Sequence, residues 1–314
     1  MKPLLLTVGN VYVDHNIFGV DSTERPFRLK TGTDYFATSS ERVLGGSAVN
    51  VAMQAARLGV SVGFIGKTGV DEGGQEVRAL LHTEGILCDL MSKDASLATS
   101  MAVNLIDKNG EAIGLHYGDA SRNLSATDFN LHDELFARCH AIYFGGTAKQ
   151  PLLLKDGEKL FRALRSKGIK IFYDPNKFSA QQDAAERTLL LAQLAYVDGY
   201  LPNEQELLQL TGSASVDQAL NVALGAGVGF VALKLGPKGC RIKTTQEDFS
   251  VQGHTITPLS TVGAGDCFNA TFMAYYLTGR SLKECARLAT AAAAIKVSKN
   301  IWPNEAAITA LLGL

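Results

Sequence analysis

Short apolar runs alternate with helical patterns along most of the chain, and that alternation leaves few architectures open. Leu4–Val8, Val60–Ile65, Ala141–Phe144, Ile169–Tyr173, Tyr196–Leu201 and Val228–Leu233 are predominantly apolar. Such runs suit strands buried on both faces of a sheet. Between them Ser47–Leu58, Glu72–Glu84, Leu152–Ser166, Gln205–Leu210 and Val216–Leu224 carry helical spacing. Gly59 and Gly85 follow the first two where a left-handed residue ends a helix. Strand, helix and strand in succession require right-handed crossovers. The expected fold is therefore α/β, a doubly wound and mostly parallel sheet flanked by helices. Ser281–Ser298 and Pro303–Leu312 close the chain as helices, with Pro near the start of the second.

Two stretches break the alternation. Thr99–Tyr117 reads as a hairpin, Met101–Asp107 and Glu111–Tyr117 joined at Asn109-Gly110. Phe18–Val43 lacks a helical period. Insertions around 15–43 and 99–118 are expected to form a small β-rich lid on a single domain, 1–314. A lid suits chemistry that must be kept from water.

Composition narrows the function. The 314 residues are 46% hydrophobic and 19% charged, ordinary for a sizeable core. A net charge of −1 provides no field for nucleic acid or anionic lipid, so neither is an expected partner. No apolar run reaches the length of a membrane span, and Met1–Leu6 reads as a first strand rather than a signal peptide. Five cysteines without a C-x-x-C pair point to a reducing cytoplasm. The scattered histidines lack zinc-ligand spacing, and Cys267 reads as a packed residue rather than a nucleophile.

Polar or glycine-rich clusters fall at the predicted strand ends, where open α/β sheets bind ligands. Asp14, in the segment from Asn10, can accept from two adjacent hydroxyls; the alternative is a turn residue. Gly45 and Gly46 open a helix that carries Asn50, which presents a donor and an acceptor. Asp174-Pro175-Asn176 aims Asn176 at the same edge. Asn203 and Glu206 offer oxygen ligands of the kind that hold Mg²⁺ through water, and equally fit a capping box. Lys234, Gly236 and Gly239 form a tight turn on which a nucleotide can lie. Thr261-Val262-Gly263-Ala264-Gly265-Asp266 places small residues at a helix start with a carboxylate at the junction. Free N–H groups there attract a phosphate. Asp266 beside them makes sense as a base on a hydroxyl attacking that phosphate. The alternative is a loop capped by an Asp.

These motifs, over nearly the whole chain and in order, resemble those of the ribokinase or PfkB-type carbohydrate kinases. Gly45-Gly46 with Asn50 is similar to the first family signature, and Thr261 to Asp266 to the second. The resemblance implies ATP as donor, Mg²⁺, a sugar or nucleoside acceptor and, in many relatives, a homodimer through the lid. It implies Asp266 as catalytic base with Gly263, Ala264 and Gly265 in the anion hole. Asn10, Asp14, Gly45, Gly46 and Asn50 would hold the substrate. Asn176, Lys234, Gly236 and Gly239 would hold the nucleotide, and Asn203 and Glu206 the metal. A nucleoside acceptor would need an aromatic shelf, for which Tyr12, Phe18 and Phe36 are candidates. A non-catalytic sensor is the further alternative. Ser260 stands where relatives commonly carry Asp, so a monovalent cation site is doubtful, with Lys299 the candidate to supply charge instead. Arg25, Arg28, Lys30 and Arg42 are candidates for meeting an acidic substrate, against the alternative of a solvated edge.

Overall fold

The computed structural model describes residues 3–109, 111–176 and 184–314. Gly110, half of the expected Asn109-Gly110 turn, lies outside the described residues. In chain order the first half runs β1 Leu4–Gly9, β2 Tyr12–Val20, β3 Ser39–Gly45, α1 Ser47–Arg57, β4 Ser61–Ile65, β5 Lys67–Gly69, α2 Glu72–Thr83, β6 Ser92–Asp94, β7 Met101–Asp107, β8 Ala112–Tyr117, α3 Glu134–Arg138 and β9 Cys139–Gly145. The second half runs α4 Pro151–Ser166, β10 Lys170–Asp174, α5 Ala184–Gln193, β11 Gly199–Tyr200, α6 Glu204–Thr211, α7 Val216–Gly225, β12 Phe230–Lys234, β13 Cys240–Lys243, β14 Asp248–Val251, α8 Ala264–Leu277, α9 Leu282–Lys299 and α10 Glu305–Leu312.

Eight strands form the main sheet in the order β14-β13-β12-β11-β10-β9-β1-β4. The pairs from β4 to β12 are parallel, and the β13–β14 edge is antiparallel. The apolar runs are continuous because both faces are covered. Along β1, Leu5 enters the core under α1, α8 and α9, while Leu4, Leu6 and Val8 enter the core on the opposite face. Phe172 and its neighbours Ile171 and Tyr173 divide the same way. Successive side chains of a strand point to opposite faces, so each face receives every second residue.

A second sheet has the order β3-β2-β7-β8. Its hairpin β7–β8 is antiparallel, whereas β2 and β7 run parallel. β3 and β8 are largely exposed.

Three expectations change. Asp14 does not end the first strand; β1 stops at Gly9 and Asp14 sits inside β2. The run 196–201 yields only the two-residue strand β11, because Asp198 turns its carboxylate onto the Ile171 N–H at 2.8 Å and Arg165 at 2.7 Å. The β13–β14 hairpin was not foreseen, since Arg241, Lys243 and Asp248 interrupt its apolar pattern with ion pairs.

Candidate active site

The start of α8 is held open by its own backbone. Gly263, the N-cap residue, has φ of 75°, a left-handed conformation that side chains resist. A Cβ there would also stand 3.1 Å from the Trp302 ring. No side chain caps this helix. The Ala264 N–H makes a long 3.3 Å bond to the Thr261 carbonyl, and those of Gly265 and Asp266 have no partner among the described residues. Two unclaimed donors at the positive end of a helix form an anion site.

α1 starts in the same manner, with Gly46 as N-cap and no side-chain cap. Its first turn donates instead to Asp266. Ser47 Oγ gives Oδ1 a bond of 2.6 Å, and Asn50 Nδ2 gives Oδ2 one of 2.8 Å. Burial raises the Asp266 carboxyl to about 6, against the lowering effect of these two donors; Asp174 raises it further and Lys234 opposes that. A carboxylate tuned toward neutrality is suited to accept a proton near pH 7.

Beneath Asp266 lies a connected polar network. Lys234 Nζ donates to Asp174 Oδ2 at 2.6 Å and to Asn269 Oδ1 at 3.2 Å. Asn269, one turn along α8, donates to Asp174 at 2.7 Å and to the Tyr143 hydroxyl at 3.2 Å. Tyr143 reaches back to Ser47 at 3.4 Å. This closes a path from the ion pair to the carboxylate. Lys234 Nζ also lies 3.6 Å from the position of a Cβ on Gly265, so its charge adjoins the open helix start.

A cavity of about 590 Å³ extends from that point. Lys234, Gly236 and Gly239 line one side, Ala264 and Gly265 another, and Ile256, Pro258, Phe268, Ala294 and Val297 provide apolar wall. Its size and apolar walls, with anion-binding amides at one end, fit a nucleotide. The sequence reading missed the 254–258 wall, which carries no motif. It also read the small residues of α9 only as helix formers.

Asn203 and Glu206 form the capping box that was the alternative to a metal role. Asn203 Oδ1 accepts from the Glu206 N–H and Glu206 Oε2 from the Asn203 N–H, both at 2.8 Å. The other Glu206 oxygen has no partner among the described residues. Burial raises the Glu206 carboxyl, and the nearby Asp174 raises it further. No group of three His, Cys, Asp or Glu gathers into a metal cage among the described residues. One buried carboxylate near the unclaimed amides of α8 fits Mg²⁺, which keeps several waters and takes oxygens from substrate phosphates.

Just ahead of α1, Asp14 packs on the Gly45 backbone so closely that a Cβ on Gly45 would collide with its carboxylate. Burial lifts Asp14 to about 6, and no hydrogen bond to it is made among the described residues. Asn10, expected on the substrate, is instead taken up in the frame: Nδ2 donates to the Gly146 carbonyl at 3.2 Å and Oδ1 accepts from Ser121 at 3.3 Å. Asn176, expected on the nucleotide, is absent from that cavity's wall; its side chain lies beside Gly146. A second cavity, about 900 Å³, is lined by Tyr12, His116, Tyr117, Arg122 and Lys149 among others.

Three of the four cations of the 25–42 segment are engaged elsewhere, while Arg28 has no ion pair among the described residues. Arg25 pairs with Asp107 at 3.1 Å, Lys30 with Glu24 at 2.6 Å and Arg42 with Glu76 at 2.6 Å. Lys299 is exposed, whereas Lys296 is buried. No helix among the described residues is long and apolar enough to cross a membrane.

Uncapped helix starts over the strand ends of a doubly wound sheet define a class of fold that binds nucleotides at that edge. The model of the pfkB family of carbohydrate kinases matches residues 10–300, and the chain belongs to that family. It is therefore an enzyme of the phosphotransferase class. It is 25% identical to a probable fructokinase-4 of Arabidopsis thaliana, over 99% of this chain and 97% of that one. It is 28% identical to a ribokinase of Haemophilus influenzae, over 95% and 94%. Its fold matches that of an Escherichia coli ribokinase II-type protein solved with ATP and Mg²⁺, at a TM-score of 0.84 and 21% identity, over 100% and 99% of the two chains.

Proposed function

We propose that this kinase transfers the γ-phosphoryl of ATP to a hydroxyl of a small uncharged sugar, with Asp266 as the base. The observation that carries the reading is the position of Asp266. It heads the helix whose free amides open on the nucleotide-sized cavity, and it is held by side chains of the opposite helix start.

Asp14, with free acceptor capacity, receives sugar hydroxyls; Gly45 and Gly46, expected to let a ligand approach backbone, instead make room for the Asp14 carboxylate and the Asn10 carbonyl. Asn50 then exchanges Asp266 for a sugar hydroxyl, which frees Oδ2 to take the proton of the attacking oxygen. The Gly265 and Asp266 amides, with the Lys234 ammonium beside them, stabilise charge on the transferring phosphoryl. Glu206 and Asn203 would hold Mg²⁺ through water, and the metal would supply charge neutralisation of the phosphates. The β3-β2-β7-β8 sheet acts as a lid that excludes water. Exposed Phe36 in the β2–β3 connection and Leu115 and Tyr117 of β8 support a lid-to-lid homodimer, checked by light scattering on the purified protein.

The ion pairs of Arg25, Lys30 and Arg42 argue against an acidic substrate, and the fructokinase and ribokinase relatives favour a ketohexose or pentose. A nucleoside is less well served, because Phe36 points into solvent with 74% exposure. A panel of free sugars, sugar acids, sugar phosphates and nucleosides with ATP, read by ADP release, tests the proposal. Turnover confined to nucleosides or phosphorylated sugars would overturn it. With Ser260 in place of a carboxylate, the rate is expected to be the same in K⁺ as in a bulky organic cation. A large K⁺-specific rise in kcat would contradict this.

A further inference from the structure

Lys296 is a buried ionisable side chain to which the mechanism gives no role. It lies in the last turn of α9 with 6% of its surface exposed. Its ammonium donates to Asn300 Oδ1 at 2.7 Å and stands 4.9 Å from the centre of the Trp302 ring. An ammonium carries three donors and a full charge, and these two neutral partners leave both incompletely answered. Among the described residues no carboxylate pairs with it. Burial lowers its proton affinity, and the nearby Cys267 thiol is its other electrostatic neighbour. Burying an incompletely compensated cation is unfavourable even at the negative end of a helix, so an anion brought near it would be stabilised.

The loop it supports indicates where that anion arrives. Lys296 Cε lies 3.4 Å from the position of a Cβ on Gly263, the left-handed residue that opens α8, and the Trp302 ring closes the same position at 3.1 Å. The incoming segment is fixed to the same turn of α9, because the Leu259 and Ser260 N–H groups donate to the Val297 carbonyl at 2.8 and 3.1 Å. Lys296 thus underlies the turn whose far side presents the free amides to the nucleotide cavity. Lys234 flanks those amides from β12, so two lysines from different elements bracket one helix start.

We propose that Lys296 is a built-in cation of the anion hole: a positioning residue that holds the Gly263 turn in its left-handed form and adds positive potential behind the transferring phosphoryl. The proposal rests on reading the Gly263 to Asp266 amides as that hole. Lys296 does not touch substrate. Its charge acts through the turn, and it acts most strongly where phosphoryl charge is greatest, so kcat is affected more than KM.

The test is steady-state kinetics on the full chain with ATP and the acceptor that turns over fastest in the panel, with Tm measured alongside. Lys296→Met is expected to lower kcat about 10- to 100-fold, less than the roughly 100- to 1000-fold found for loss of one oxyanion donor because Lys296 acts through the turn, while KM stays within about threefold. Lys296→Gln, which can keep a bond to Asn300 without the charge, is expected to lower kcat to the same extent, and it carries the test if the methionine destabilises the fold. Lys296→Arg is expected to recover most of the rate. Lys296→Ala is expected to gain activity on addition of methylammonium and none with tetramethylammonium. A kcat within about twofold of wild type in Lys296→Met or Lys296→Gln overturns the inference. Equal loss in the Met, Gln and Arg variants with no response to methylammonium overturns it too, by making the role one of packing. Asp266→Asn separates this from the site reading: if that variant keeps the wild-type rate, the site itself has been misassigned. If it is inactive while Lys296→Met is not slowed, only the inference about Lys296 falls.

Discussion

Helices α9 and α8 are joined by a four-residue connection, yet they begin in opposite ways. At the start of α9, Ser281 accepts from the Glu284 N–H at 3.3 Å and Glu284 returns a carboxylate to the Ser281 N–H at 3.1 Å. Side chains thus answer two of its N-terminal donors reciprocally. At the start of α8 a left-handed glycine replaces the capping side chain, and amides remain free. An N-cap stabilises a helix by about 1 kcal/mol. α4 also lacks a side-chain cap, but Pro151 opens it, whereas α8 and α1 both start at a glycine of positive φ, and between those two starts Asp266 sits. α6 lies between the extremes. Its capping box is complete, but Glu206 is buried beside Asp174 and keeps one oxygen free. A closed cap and a metal role are therefore compatible at one residue.

The largest test of this contrast is Asp266→Asn. It is expected to lower kcat by about 10³-fold or more while ATP binding stays near wild type, measured by steady-state assay and calorimetry. A variant that kept substantial turnover would make α8 merely another helix start. The pH profile carries the same claim. Because Asp266 is raised from 3.8 to about 6, kcat is expected to increase as pH rises through about 6. The sign for stability is opposite. A folded value above the unfolded one means that ionisation costs the fold stability, so wild type should lose stability relative to Asp266→Asn between about pH 4 and 6. Denaturation of both proteins across that window measures it.

Gly263→Ala comes next. Forcing a side chain into the left-handed region costs on the order of 1 kcal/mol, and a Cβ would press on Trp302. About a tenfold loss of kcat with a modest fall in Tm is expected; an unchanged kcat would show that the shape of the turn does not matter. Glu206→Gln tests the intermediate case. It should raise the Mg²⁺ needed for half-maximal rate about tenfold, with Tm unchanged or higher, since a raised carboxyl gains nothing from its charge in the fold. The smallest effect on rate belongs to Ser281→Ala, which should cost about 1 kcal/mol of stability and leave kcat unchanged. A loss of activity there would erase the distinction between closed and open helix starts.

The fold was legible because its strands are buried on both faces, which writes each as an uninterrupted apolar run. β1, β4, β9, β10 and β12 lie within a residue or two of the runs that foretold them. β13 and β14 were not legible, since edge strands with ion pairs lack that signature. Asp266, Lys234 and the glycines stand out in sequence because small residues and a carboxylate at a strand or helix end are locally unusual. Asn10 looked equally functional. Only contacts at a separation of more than 100 residues, to Ser121 and Gly146, reveal it as part of the frame. Lys296 gave no signal, as a lysine near a helix C-terminus is ordinary.

The sequence by itself determined the alternation of buried strands and helices, the glycines at the open helix starts and the carboxylate between them, because each depends on local backbone freedom or periodic burial. Tertiary structure decided which polar groups are free. Ser47 and Asn50 meet Asp266 across more than 200 residues, Arg25 and Arg42 are neutralised by distant acids, and Lys296 comes to rest beneath Gly263. Hydrogen bonding and charge are settled by proximity in space, and a chain's order does not record proximity until it has folded.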